Sequence, residues 1–448
     1  MKHEKTNSNF KQRIIKILKE PLLYLLIVIA IIQGIIYSNM PEYGLTGDSN
    51  GYLHVYDSKS ILKGYINESR PPIYSYIIRF IRKISGEDNL EVKVAKVQKI
   101  IFFISIILFY CILKLLIKNK VIICALTLIF GITPSIIVWN VYIVTEALTC
   151  LEILTLTFIT IKYLKQPSKL FASLMGIIIL VMILTKPALV YFLPIYIVFV
   201  VLRYILNKKE RRTLFFAIGS LLICCFVLIM YCWQIKNLYG VFSLTNISGI
   251  NNVLSVLDSG AYEDVQNNPI TETILKYVDG PITDNKTYEI HGELAKIYST
   301  EELKEYTNLA MQTEKYKEYM LNKVIALGSE NIGTAHPMGE PDDINAMQNL
   351  SSISRLLIPI TFGFMYIVIL VSIIYLIWYL IKYKKINWIC AFFTSTIFAN
   401  LFTFFIGAPF EPQRLFFPSM CLVLIYIGVI LGRIRLNKEN LLNEKNVE

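Results

Sequence analysis

The chain predicts an all-α polytopic membrane protein of about ten transmembrane helices, and three observations predict it. Apolar residues make up 55% of the sequence, and the mean hydropathy of +0.53 exceeds what a soluble domain tolerates. Apolar stretches of roughly membrane-crossing length, about 20 residues, recur at 21–38, 97–117, 119–133, 142–161, 170–185, 187–206, 213–232, 355–381, 387–406 and 415–432. Lys and Arg gather at alternate ends of those stretches: Lys11 to Lys19, Lys114 to Lys120, Lys162 to Lys169, Lys208 to Arg212, Lys382 to Lys385 and Arg433 to Lys438. By the positive-inside rule these ends are cytoplasmic. Ten crossings satisfy every cluster and place both termini in the cytoplasm.

The first stretch lacks a small-x-small exit and is as long as a full span, so it is expected to stay as an anchor. The loop after it, 39–96, is external. Within it, residues 73–84 put Ile73, Ile77, Phe80, Ile81 and Ile84 on one helical face and Ser75, Arg79, Arg82 and Lys83 on the other. Pro71 and Pro72 suit the start of a helix, whose first amides have no internal partner. An interfacial helix is expected there, basic face toward lipid headgroups. The segment 233–352 is a second external region, too long for a passive connector. Its stretch 292–327 has helical spacing, so a helical cap is expected. The chain divides into 1–232, 233–352 and 353–448.

Several function classes are excluded. The net charge of +11 lies at helix ends and not in one patch, so it marks topology and not nucleic-acid binding. All eight cysteines fall within or at the ends of apolar stretches, where cysteine behaves as a small hydrophobe. His3, His54, His291 and His336 are isolated, so no metal spacing exists. Phosphate-cradling glycine loops are absent. No cofactor is expected; whether a divalent cation assists the chemistry stays open.

Ionisable groups at bilayer depth are costly and usually pair or work. Asp48, Arg70, Glu146, Lys186, Glu411 and Arg414 all map to the same external boundary in this topology. Asp48 sits in Gly47-Asp48-Ser49-Asn50-Gly51-Tyr52 and has no basic neighbour in sequence. Glu146 opens the fourth span after Pro134; as a helix-start acid it also suits the dipole. Glu152 lies deeper on the same helix and receives no role. Arg70 precedes two prolines, which hold it extended, and its guanidinium suits phosphate. Lys186-Pro187 joins the fifth and sixth spans, and Arg414 opens the tenth, with Pro418 after it.

In order along the chain, four pieces resemble the C-type (GT-C) integral-membrane glycosyltransferases, in particular the protein O-mannosyltransferase and lipid A aminoarabinose transferase branch. They are Gly47-Asp48-Ser49 with Tyr52; Arg70-Pro71-Pro72-Ile73-Tyr74; Pro134 followed by Val144-Thr145-Glu146-Ala147-Leu148; and Arg414 with Pro418. The resemblance implies transfer of a sugar from a polyprenyl-phosphate donor at the outer face, with inversion. It implies Asp48 as general base, Glu146 orienting the acceptor or Asp48, and Arg70 holding the donor phosphate, with lesser phosphate contacts from Lys186 and Arg414. The acceptor would be an envelope glycan, lipid or protein. Two departures bear on the acceptor: fewer spans with no C-terminal soluble domain, and Asp-Ser where mannosyltransferases have an Asp-Glu pair. An O-antigen ligase or polymerase, a lipid or ion transporter, and a non-catalytic assembly factor are the other readings. The ligase would draw on arginine and histidine in the large loop, and none before Arg355 is an arginine.

Overall fold

The computed structural model describes residues 20–46, 48–53, 70–240, 242–278, 284–329, 364–407 and 419–432. The helices are α1 Pro21–Ser38, α2 Ser49–Leu53, α3 Pro72–Ser85, α4 Leu90–Leu116, α5 Lys120–Ile132, α6 Glu146–Lys165 and α7 Lys169–Thr185. There follow α8 Phe192–Leu206 and α9 Arg211–Tyr239. The insert contributes α10 Ile247–Asp258, α11 Pro269–Tyr277, α12 Asp284–Ile297, α13 Thr300–Ala310 and α14 Glu314–Ser329. Last come α15 Phe364–Tyr383, α16 Trp388–Gly407 and α17 Ser419–Gly432. Among the described residues there is no strand, only an isolated bridge between Gly44 and Tyr142. Among the described residues, five helices are long and apolar enough to cross a membrane, and five shorter apolar ones fall at the other expected spans.

The boundaries differ from the hydropathy reading in instructive ways. Helix α4 begins at Leu90, seven residues before the apolar stretch, because Glu91, Lys93 and Lys96 extend the helix into water without breaking it. Residues 142–145, expected inside a span, are not helical; the Ile143 amide donates to the Gly44 carbonyl and the Val144 amide to the Tyr142 carbonyl instead. Pro187 opens a 3₁₀ turn, Pro187–Tyr191, that postpones α8 to Phe192. Helix α9 overruns to Tyr239, where Gly240 at φ 80° caps it.

Apolar surface gains little by moving from lipid to protein, so close packing and buried hydrogen bonds hold such a bundle. Helices α7 and α9 touch at Gly176, where a Cβ would lie 2.4 Å from the Ser220 carbonyl carbon. Phe109 stacks on Phe130 at 4.4 Å between α4 and α5. Gln33 donates to the Gly131 carbonyl at 2.7 Å, joining α1 to α5; such a bond is worth about 0.6–2 kcal/mol in a membrane.

The insert is built on the ordinary hydrophobic principle. Val253, Leu257, Ile274, Ile290, Leu294 and Tyr306 are buried in its own core. The expected helical stretch 292–327 divides into parts of three helices, because Ser299 and Glu302 form a capping box that starts α13 afresh. Helices α10 and α14 both contact α16.

The interfacial helix is present as α3, with its faces assigned differently. Tyr74, Ser75, Ile78 and Ile81 are buried against the protein, whereas Phe80 and Ile84 stand exposed. The helix therefore has two apolar sides, one packed on the bundle and one exposed. Arg82 does not reach outward to headgroups: it donates to the Leu53 carbonyl at 3.0 Å and pairs with Glu87. Arg79 and Lys83 remain exposed.

Candidate active site

Local sequence fixes Asp48 and Arg70 before any long-range contact does. The Thr46 amide donates to Ser49 Oγ at 2.8 Å and the Asp48 amide to Thr46 Oγ1 at 3.3 Å, a tight turn that starts α2. Arg70 is held by Pro71, extended at φ −66° and ψ 158°, and Pro72 then opens α3. The turn and the extended strap meet: Arg70 Nη2 donates to Asp48 Oδ1. The guanidinium lies 5.1 Å above the Tyr52 ring, and Gly51 makes room, since a Cβ there would be 2.8 Å from Arg70 Nε.

A second pair forms at the start of α6. Glu146 is fully buried, and Lys186 Nζ donates to its Oε1 at 2.8 Å from the end of α7. The neighbour Thr185 donates to Glu152 Oε1 at 2.6 Å, so both carboxylates of α6 are met by consecutive residues. Close by, Thr145 Oγ1, Thr149 Oγ1 and Asn140 Oδ1 are buried with no hydrogen-bond partner among the described residues. Polar atoms left so are costly unless a ligand or water completes them.

Two links bring the pairs to one level. The Gly44 amide donates to the Val141 carbonyl at 3.1 Å and the Gly44 carbonyl accepts from the Ile143 amide at 3.0 Å, tying the first loop to the segment that leads into Glu146. A Cβ on Gly44 would strike the Tyr142 ring at 2.6 Å, so only glycine allows this approach. The second link runs through Gln98. It accepts from Tyr74 Oη and donates to the Tyr142 carbonyl at 2.7 Å and the Asn140 carbonyl at 3.3 Å. Tyr74 packs edge-on to Tyr52 at 5.0 Å. Burial, then the charges of Tyr52 and Glu146, push its phenol well above its ordinary pKa, so it stays a neutral donor.

Of the six ionisable groups expected at the external boundary, Asp48, Arg70, Glu146 and Lys186 come together as two ion pairs. Glu411, Arg414 and Pro418 lie outside the described residues, as do Gly47 and both termini. Sequence reasoning missed Gln98 and gave Tyr52 and Tyr74 no role. A glutamine at the head of an apolar stretch was the available signal, since a buried amide must find partners. Among the described residues no three His, Cys, Asp or Glu side chains form one cluster.

Two opposed pairs with neighbouring buried hydroxyls can exchange partners with an anionic substrate: a guanidinium or ammonium can take a phosphate, and its carboxylate is then released to accept a proton.

Residues 69–233 match the family of dolichyl-phosphate-mannose-protein mannosyltransferases. The GT-C resemblance read from the motifs is borne out by that match. The matched segment contains Arg70, Glu146 and Lys186 and stops short of Asp48. Among solved structures, the archaeal oligosaccharyltransferase AglB from Archaeoglobus fulgidus, in complex with an inhibitory peptide and a dolichol-phosphate, is similar at 12% identity and a TM-score of 0.49. The similarity covers 94% of this chain and 51% of that one. The Archaeoglobus fulgidus oligosaccharyltransferase complex with Zn and sulfate is similar at 11% identity and a TM-score of 0.47, over 92% and 49%. The chain thus spans about half the length of these structures. No curated protein matches it.

Proposed function

We propose that the chain is a GT-C-type glycosyltransferase that moves a sugar from a polyprenyl-phosphate donor to an envelope glycan, lipid or protein at the outer face of the membrane. The observation that carries the reading is the Asp48–Arg70 pair, held beside the Glu146–Lys186 pair by the Gly44–Tyr142 bridge. The family match over residues 69–233 supports the reaction class.

In the resting protein the Arg70 guanidinium occupies Asp48 Oδ1. When the donor arrives, its phosphate competes for the guanidinium. Asp48 then takes the proton of the acceptor hydroxyl, and that oxygen attacks the anomeric carbon from the face opposite the phosphate. The sugar–phosphate bond breaks with its electrons on the leaving phosphate, whose charge Arg70 stabilises. The configuration inverts because only one displacement occurs. Glu146 orients the acceptor, and Lys186 offers a second cation to the phosphate when Glu146 turns to the acceptor. Arg414 adds a phosphate contact in this reading.

The transporter reading has one observation in its favour. Glu152 is a buried carboxylate six residues, about 9 Å, beyond Glu146 along α6, nearer the depth at which transporters place such groups. The test is sugar transfer from labelled polyprenyl-phosphate donors in membranes holding wild type or Asp48→Asn at matched folded levels. A fall of about 10²-fold or more with donor binding kept supports the proposal. Equal rates remove Asp48 as the base, and no transfer by wild type across a broad donor panel favours transport.

A further inference from the structure

Helices α7 and α9 meet closely at Gly176 and Ser220, and along the outer side of that contact, midway along α7, lies a groove of about 340 Å³. That volume lies in the range of ligand clefts, about 300–1,000 Å³. Ser173, Ile177 and Leu180 form one wall, and Phe216, Gly219 and Ile223 the other. The groove is apolar and faces the membrane side, with Ile177 and Ile223 exposed.

Its mouth is different. On α7, Lys169 stands four residues before Ser173, and on α9 Arg212 stands four before Phe216, so helical register puts each cation at the head of its own wall. Lys169 Nζ lies 5.1 Å from the centre of the Phe216 ring, at the entrance. Both residues are exposed. Nearby charges do not offset them. Glu210 is clasped by Arg203 through two hydrogen bonds of 2.7 Å, and Arg211 donates to the Tyr204 carbonyl at 3.1 Å. Lys165, Lys208 and Lys209 add positive charge to the same end. Lys169 is about 25 Å along α7 from Lys186, on the basic side of the membrane.

A two-cation mouth over an apolar slot in the bilayer complements one kind of molecule. We propose that this groove binds an anionic phospholipid of the cytoplasmic leaflet, its phosphate between Lys169 and Arg212 and one acyl chain along Phe216 and Gly219. The site is independent of the glycosyltransferase reading.

The experiment uses purified full-length protein in detergent, titrated with dioleoyl-phosphatidylglycerol or dioleoyl-phosphatidylcholine and read by native mass spectrometry and thermal melting. Wild type retains phosphatidylglycerol selectively and melts higher with it. Lys169→Gln and Arg212→Gln each weaken retention about fivefold, from roughly 1 kcal/mol per interfacial cation, while Lys169→Arg keeps it. Gly219→Leu, placed where a Cβ meets no atom within 4 Å, folds normally, keeps every charge and still loses retention. Three results would overturn the proposal. One is equal retention of both lipids. Another is retention indifferent to Gly219→Leu, which would reduce the effect to general surface charge. The third is Gly219→Leu splitting a dimer with no effect of lipid class, which would give the groove to a second copy.

Discussion

Two arginine–carboxylate pairs stand at opposite ends of the bundle, and they are built for different ends. Arg203 grips Glu210 with two bonds of 2.7 Å across seven residues of sequence. Asn207 and Tyr163 also donate to Glu210, and the guanidinium lies over the Tyr163 and Trp388 rings. Side-chain exposure is 5% and 14% there, against 14% and 31% for Arg70 and Asp48. The first pair is surrounded by protein and closes the turn between α8 and α9. The second is reached from outside and joins two segments 22 residues apart. The same chemistry makes a clamp where it is enclosed; where it is open, it is the exchangeable site proposed above.

The comparison can be broken from either end. Glu210→Gln should have the largest effect on stability, about 3–5 kcal/mol, because it leaves the buried Arg203 charge without its partner; thermal melting in detergent would show it, with transfer per folded molecule unchanged. Arg70→Gln should act on the donor instead. It should raise the KM for the polyprenyl-phosphate sugar and lower kcat, by about 10-fold or more in kcat/KM, with the melting temperature little moved. Gly44→Ala sharpens the distinction, since it pushes on the Tyr142 ring and shifts the first loop without removing a charge. A misplacement near 1 Å costs up to about 10²-fold in rate, so a variant that folds and binds donor but turns over slowly is expected.

The smallest effect concerns the insert. Burial holds His291 below its ordinary pKa. The unfolded insert takes up a proton as pH falls through about 6.5, and the folded one resists it. The contribution is therefore intact above that pH and lost below it. Hydrogen-exchange protection within 284–297, taken relative to the intrinsic rate at each pH, should fall between pH 7.5 and 5.5, and His291→Gln should remove that part of the change.

Sequence made the membrane bundle legible because hydropathy and lysine placement are local signals. The alternation of ends holds in the contacts: Lys114 meets Glu20, and Lys165 reaches the Leu115 carbonyl, at the end away from Asp48. The helix limits were less legible, since Lys236 and Asn237 end the hydropathy of α9 without ending its hydrogen bonds. At the site, residue types pointed to Asp48, Arg70, Glu146 and Lys186 but not to their partnership. Pairings across 22 and 40 residues depend on the Gly44 bridge, which has no one-dimensional signature, and on Gln98, whose place at the head of an apolar stretch signals a buried amide but not its partners. The wheel for 73–84 failed at Ser75 because it assumed one apolar face, and α3 buries one side against the protein while Phe80 and Ile84 stand exposed on another.

The most direct test sets the two carboxylates side by side: transfer per folded molecule for Asp48→Asn and Glu210→Gln, with melting curves for both. The account predicts that Asp48→Asn melts like wild type and loses about 10²-fold or more of its turnover, while Glu210→Gln melts early and turns over normally. Normal turnover by folded Asp48→Asn would contradict it.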